Sequence, residues 1–151
     1  PEFIVCDEPV SALDVTVQSQ VLNLLLDLHR THQLTYLFIS HDLNIVRHFC
    51  NRVIVMYLGE IVEEAEVEEI YEDPKHPYTQ LLFHSILTDE RKLQKITDVE
   101  QSREDASANG CPFYHRCMSR SDLCREKRPE RTNLNPEGEN PHWVKCFKYQ
   151  S

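Results

Sequence analysis

Two apolar runs, FIVC at residues 3–6 and LTYLFIS at residues 34–40, flank a stretch whose apolar residues recur with helical spacing. Nothing else in the chain restricts its fold as tightly. The first run reads as a short buried strand. The second, rich in branched and aromatic residues, reads as a strand covered on both faces. Between them Val17, Val21, Leu24, Leu25 and Leu28 form one apolar helix face. DLNIVRHFC (42–50) reads as a second helix and RVIVMYL (52–58) as a third strand, which turns at Gly59 into EIVEEA, its antiparallel neighbour. Strand, helix, strand, helix, strand is the pattern of a doubly wound α/β domain. Such sheets bind ligands at their carboxyl edge, where Asp7 and Glu8 end the first strand and Ser40 and His41 end the second.

A strand that ends in Asp-Glu has a chemical use. Asp7 can hold a Mg²⁺ ion, directly or through water, while Glu8 orients or deprotonates an attacking water. Attachment to a strand supplies the positioning, and Pro9 stiffens the turn that follows. Alone, paired acids after a strand more often serve as loop caps or surface charges, and a histidine there is usually a satisfied polar residue. Here the two occur in one series: DEPVSALD (7–14), then an apolar strand ending in ISHD (39–42). This series closely resembles the nucleotide-binding subunit of ABC transporters. The resemblance implies that FIVC plus Asp7 is the Walker B strand and Glu8 the catalytic glutamate. It makes Ser11–Asp14 the loop that crosses the dimer interface and His41 the switch residue at the γ-phosphate. The ligands it implies are ATP and Mg²⁺.

The same resemblance implies parts that these residues do not contain. A P-loop, G-x-x-x-x-G-K-S/T, cradles phosphate with backbone amides and a lysine. The three glycines are Gly59, Gly110 and Gly138, and none precedes a lysine. The LSGGQ signature and the glutamine loop are absent too, and all three lie N-terminal to the Walker B strand in the family. The chain therefore reads as the C-terminal part of a longer subunit. Alone, it is expected neither to bind ATP well nor to hydrolyse it.

Beyond residue 65 the pattern changes to a short acidic helix, a Pro-bounded turn and a helix from Tyr78 to Leu87, followed by a polar linker over 88–110. YEDPKHPYTQLL resembles the C-terminal extension of oligopeptide and dipeptide importers, with His76, Pro77 and Tyr78 as their His-Pro-Tyr motif. Pro77 fixes the entry to the helix at a position that needs no amide donor. Nickel importers of the same family carry similar extensions, and peptide is the preferred reading.

Cys6 and Cys50 stand alone and are assigned no chemistry, Cys6 acting as a small hydrophobe in its strand. Cys111, Cys117, Cys124 and Cys146 follow the spacing C-x5-C-x6-C-x21-C. With no signal-peptide pattern and no apolar run of roughly 18 residues, the chain reads as intracellular, where clustered thiols more often bind metal than form disulfides. A segment poor in periodicity often uses metal as a staple. Zinc knuckles usually include a C-x2-C pair, which is missing, and four thiolates can instead hold an iron–sulfur cluster. The resemblance implies a 4Fe–4S cluster on these four cysteines. Zinc is the alternative, with His115 and His142 as reserve ligands, and Arg116, Arg120, Arg125, Lys127 and Arg128 are placed to offset thiolate charge.

The net charge of −9 is unevenly spread: residues 60–105 hold 14 acids against 5 bases, residues 111–151 hold 5 acids against 8 bases. An acidic middle is a poor surface for nucleic acid, so none is expected as a partner. A metal-stapled regulatory or nucleic-acid-binding module would account for the tail but not for the DEP–SALD–SHD series. The expectation is an α/β fold in which residues 1–65 are the C-terminal part of an ABC-type P-loop NTPase domain. Residues 66–110 are then a helical extension and 111–151 a cysteine-rich, metal-stapled region. The resemblance implies an ATP-hydrolysing subunit of a peptide importer at the cytoplasmic face of the membrane. Its partners would be a second ATPase subunit, two transmembrane permease subunits and, indirectly, a peptide-binding protein.

Overall fold

The computed structural model describes residues 1–87 and 109–150; the expected linker lies mostly outside the described residues. The chain falls into two compact units, Pro1–Asn51 and Arg52–Ser151.

The first unit runs β1 (Phe3–Asp7), α1 (Val15–His32), β2 (Thr35–Ile39) and α2 (Leu43–Phe49). β1 and β2 are parallel, in register from Phe3 opposite Thr35 to Asp7 opposite Ile39. Parallel neighbours need a crossover, which α1 supplies. Asp14 caps α1 by accepting from the amides of Thr16 (3.0 Å) and Val17 (3.1 Å), and Gln33 closes it in the left-handed conformation. Tyr36 ties β2 to that helix through its hydroxyl, which donates to the Leu25 carbonyl at 3.1 Å. Phe49 of α2 packs on Tyr36 and Phe38, ring centres 6.0 and 4.7 Å away.

Burial departs from the expected pattern in two places. The β1–β2 pair is covered on one face only: Cys6 of β1 is buried, whereas Phe3 and Val5 of β1 and Leu37 and Ile39 of β2 are about half exposed. A continuous apolar run records what a strand tolerates on each side, and these helices pack on one side. On α1, Val21, Leu25 and Leu28 are half-buried, but Leu24, assigned to the same stripe, points outward.

The second unit begins with the hairpin β3 (Arg52–Tyr57) and β4 (Glu60–Glu66). Leu58 and Gly59 join them with φ of 47° and 82°, the doubly left-handed turn that matches strand twist. The third strand expected in a doubly wound sheet therefore belongs to another sheet, of order β3-β4-β6-β5, built with β5 (Thr132–Asn133) and β6 (Trp143–Val144). A two-residue turn makes local antiparallel pairing cheap in chain entropy, and β3 takes it. The helices α3 (Val67–Glu72), α4 (Pro77–Leu87) and α5 (Asp122–Glu126) match the sequence expectation for the first two.

The cysteine-rich tail is fastened by ordinary packing. β6 pairs with β4, the Lys145 amide donates to the Val62 carbonyl at 2.8 Å, and Phe113 and Val144 join Val62, Ala65 and Ile70 in the core. His142 is fully enclosed, with Nε2 2.8 Å from Glu63 Oε1 and Nδ1 2.9 Å from Glu69 Oε1. It lies between two carboxylates and does not line the cysteine cavity, so it is no reserve ligand for zinc. No helix among the described residues is long and apolar enough to cross a membrane.

Candidate functional site

The carboxyl edge of the β1–β2 pair is shaped by one backbone residue. Glu8 adopts φ 46°, a left-handed conformation that costs a non-glycine residue of order 1–3 kcal/mol. Its amide still donates to the Ile39 carbonyl at 3.0 Å, while its own carbonyl accepts from the Ser11 amide (3.3 Å) and hydroxyl (3.1 Å). The turn thus stays pinned to both strands while it swings the Glu8 carboxylate toward the end of β2. There His41 Nδ1 lies 3.0 Å from Glu8 Oε1. His41 is held between Ser40, whose hydroxyl accepts from the Asp42 amide at 3.0 Å, and Asp42, which caps α2.

Glu8 and His41 line a cavity of about 150 Å³ together with Ser11, Gln18, Ser40 and Asp42. The hydrogen bond and charge of His41 hold the Glu8 carboxyl below its usual range. Glu8 is an ionised acceptor, and the proton on His41 Nδ1 points at it, which leaves Nε2 for another partner. An oriented carboxylate beside an imidazole can align a water and contact an anion. The expected residues divide: Glu8, Ser11 and His41 share the cavity, whereas Asp7, on the last position of β1, and Asp14, occupied in capping α1, do not line it.

The second candidate site lies in the other unit. Cys111, Cys117, Cys124 and Cys146 all line one cavity of about 330 Å³, walled by Phe113, Phe147 and Pro129 among others. All four are free. The Cys111 amide donates to the Cys124 carbonyl at 2.8 Å, and Ser121 Oγ lies 3.3 Å from Cys124 Sγ. Burial, reinforced by the neighbouring thiols, pushes Cys111 up to about 11; burial also raises Cys117 and Cys146. Such thiols stay protonated unless a cation replaces the proton. Among the described residues no group of three or more His, Cys, Asp or Glu side chains is arranged to hold a metal ion. Neither the expected cluster site nor its zinc alternative is seen as a formed metal group among the described residues. His115 does not line the cavity, and of the basic residues proposed to balance it Arg128 pairs with Glu60 instead. The charged side chain at the cavity is Lys148.

Sequence reasoning gave three residues of this unit no site role. Gly110 admits no side chain, because a Cβ there would sit 2.5 Å from the Arg125 carbonyl oxygen. His76 is 2% exposed, lines the cavity and caps α4, its Nδ1 accepting from the Tyr78 amide at 3.0 Å. Burial lowers its pKa to about 4. Glu63, buried on β4, accepts from the amides of Lys75 (2.7 Å) and His76 (2.8 Å) as well as from His142. The His-Pro-Tyr spacing was the available signal: a capping acceptor, then proline at the first helical position.

Residues 62–124 match the family described as the oligopeptide/dipeptide transporter C-terminal region. Over 98% of its length the chain is 40% identical to an oligopeptide transport ATP-binding protein of Haemophilus influenzae, of which it covers 45%. It is 43% identical over 99% of its length to an oligopeptide transport ATP-binding protein of Bacillus subtilis, of which it covers 46%. It is 45% identical over 98% of its length to a putative peptide import ATP-binding protein of Brucella ovis, again covering 46%. The chain thus spans about half the length of the curated relatives it matches.

Proposed function

We propose that this chain, which belongs with the ATP-binding subunits of oligopeptide and dipeptide ABC transporters, supplies the water-directing edge of an ATPase that energises peptide import. The carrying observation is the 3.0 Å pairing of Glu8 with His41 at one sheet edge. In this reading the ionised Glu8 orients the water that attacks the γ-phosphate, and His41 offers Nε2 to the phosphoryl oxygens as charge develops there. Asp7, adjacent at the end of β1, would hold Mg²⁺, which neutralises phosphate charge. Ser11 and Asp14 border the turn that would face a second ATPase subunit. Peptide rather than nickel is the cargo favoured by the matched family description. The partners would be two permease subunits and, through them, a peptide-binding protein, with the subunit peripheral at the cytoplasmic face. Glu8→Gln in the assembled transporter tests it: ATP turnover should fall about 10²–10³-fold with nucleotide binding kept, and unchanged turnover would remove Glu8 from the mechanism.

The four cysteines at one cavity support a 4Fe–4S cluster over zinc. They match such a cluster in donor type and number. When bound, the cluster would supply a covalent cross-link among four points of the tail. Anaerobically purified protein should show bound iron and absorbance near 400 nm; colourless protein carrying stoichiometric zinc would defeat this assignment.

A further inference from the structure

We propose that His76 donates a hydrogen bond from Nε2 into the cysteine cavity, to a sulfur of the cluster held there, and so acts as a positioning residue for that group. The inference rests on the cluster reading above. The Tyr78 amide donates to His76 Nδ1 at 3.0 Å, so that nitrogen carries a lone pair and the ring proton resides on Nε2. The polar side-chain atoms that are both sealed and unpaired, among the described residues, are Thr79 Oγ1, His115 Nε2 and Arg116 Nε. His76 Nε2 is not one of them, and it bonds to no described residue. His76 is 2% exposed and lines the cysteine cavity, and Nε2 is the ring nitrogen not spent on Tyr78.

The donor is held stiffly. The His76 amide is fixed by Glu63 Oε2 at 2.8 Å, its ring packs against Phe113 with centres 5.7 Å apart, and Pro77 follows it. Phe113, Phe147 and Pro129 wall part of the cavity with apolar surface, while Tyr114, Ser119, Ser121 and Lys148 are its other polar lining, so the His76 N–H would act alongside them. Hydrogen bonds to cluster sulfurs stabilise the more negative, reduced state and raise the reduction potential.

Two substitutions separate this role from helix capping. His76→Asn keeps a short capping acceptor at the same position and removes the Nε2 donor, whereas His76→Ala removes both. In the whole chain, purified anaerobically, EPR-monitored titration should give a more negative midpoint potential for both variants than for wild type, with iron content kept. Thermal stability should drop for His76→Ala alone. An unchanged potential in His76→Asn with iron retained would overturn the role of His76 and leave the cluster standing. In wild-type protein labelled with ¹⁵N-histidine, pulsed EPR of the reduced cluster should detect a weakly coupled histidine nitrogen, and its absence would overturn the proposal whatever the variants do. Wild-type protein without iron would overturn the cluster reading itself, and that result precedes any substitution.

Discussion

Among the described residues, glutamate and histidine pair in two opposite settings. Glu8 and His41 meet at 3.0 Å on an open edge, with side chains 46% and 74% exposed; Glu63 and His142 meet at 2.8 Å with both side chains fully enclosed. The exposed pair is screened by water and contributes little to folding, which leaves its hydrogen-bonding capacity for a ligand. The enclosed pair has none to spare. Glu63 accepts from two amides and His142, and His142 spends both nitrogens on Glu63 and Glu69. Free hydrogen-bonding capacity at the first pair and architecture at the second follow from burial, not from residue type.

The sharpest break between the pairs should come from truncation. His142→Ala leaves Glu63 buried with its charge uncompensated and should destabilise the second unit by about 3–5 kcal/mol in urea unfolding. His41→Ala should leave the unfolding midpoint where it is. Similar shifts from both would erase the contrast. Gly110→Ala comes next, since the added methyl meets backbone rather than a movable side chain; about 1–3 kcal/mol of destabilisation is expected, and a neutral result would show that the loop carrying Cys111 can shift.

A pH titration of stability sharpens the comparison further. The hydrogen bonds of Glu63 and Glu69 raise His142 against the opposing effect of burial. Its folded value thus lies above the unfolded value of about 6.5, so its contribution is complete below about pH 6.5 and is lost as pH rises through the folded value. Stability of the second unit should decline on the alkaline side in wild type and lose that slope in His142→Gln; an identical slope would exclude His142 as its source. The smallest effect concerns two of the three non-glycine left-handed residues, the third being Gln33 at the end of α1. Leu58 (φ 47°) sits at an exposed hairpin tip, and Leu58→Asn should stabilise by about 0.5 kcal/mol. Glu8 (φ 46°) has no such free relief, because the conformation aims its carboxylate.

Much of the local structure was legible. The first four strands, the crossover helix, the hairpin at Gly59, the α4 start at the His-Pro-Tyr segment and the convergence of Glu8 with His41 follow from residues close in sequence or from one strand-helix-strand unit. Periodicity of 2 or 3.6, a capping acid and a proline at a helix start are written within a few positions. The face of β2 that stays exposed and the outward turn of Leu24 were not legible, because an apolar residue does not record which neighbour will cover it.

Sequence alone determined the meeting of Glu8 with His41 at the carboxyl edge and pointed to the grouping of four cysteines, since both are marked by short motifs. Only the tertiary structure decided that β3 joins β4 and β6, that His142 serves Glu63 rather than a metal, and that His76 faces the thiols. Glu63 and His142 stand 79 residues apart. Partners that distant are selected by packing and by the demand that a buried charge be satisfied, and neither leaves a mark that can be read at either position by itself.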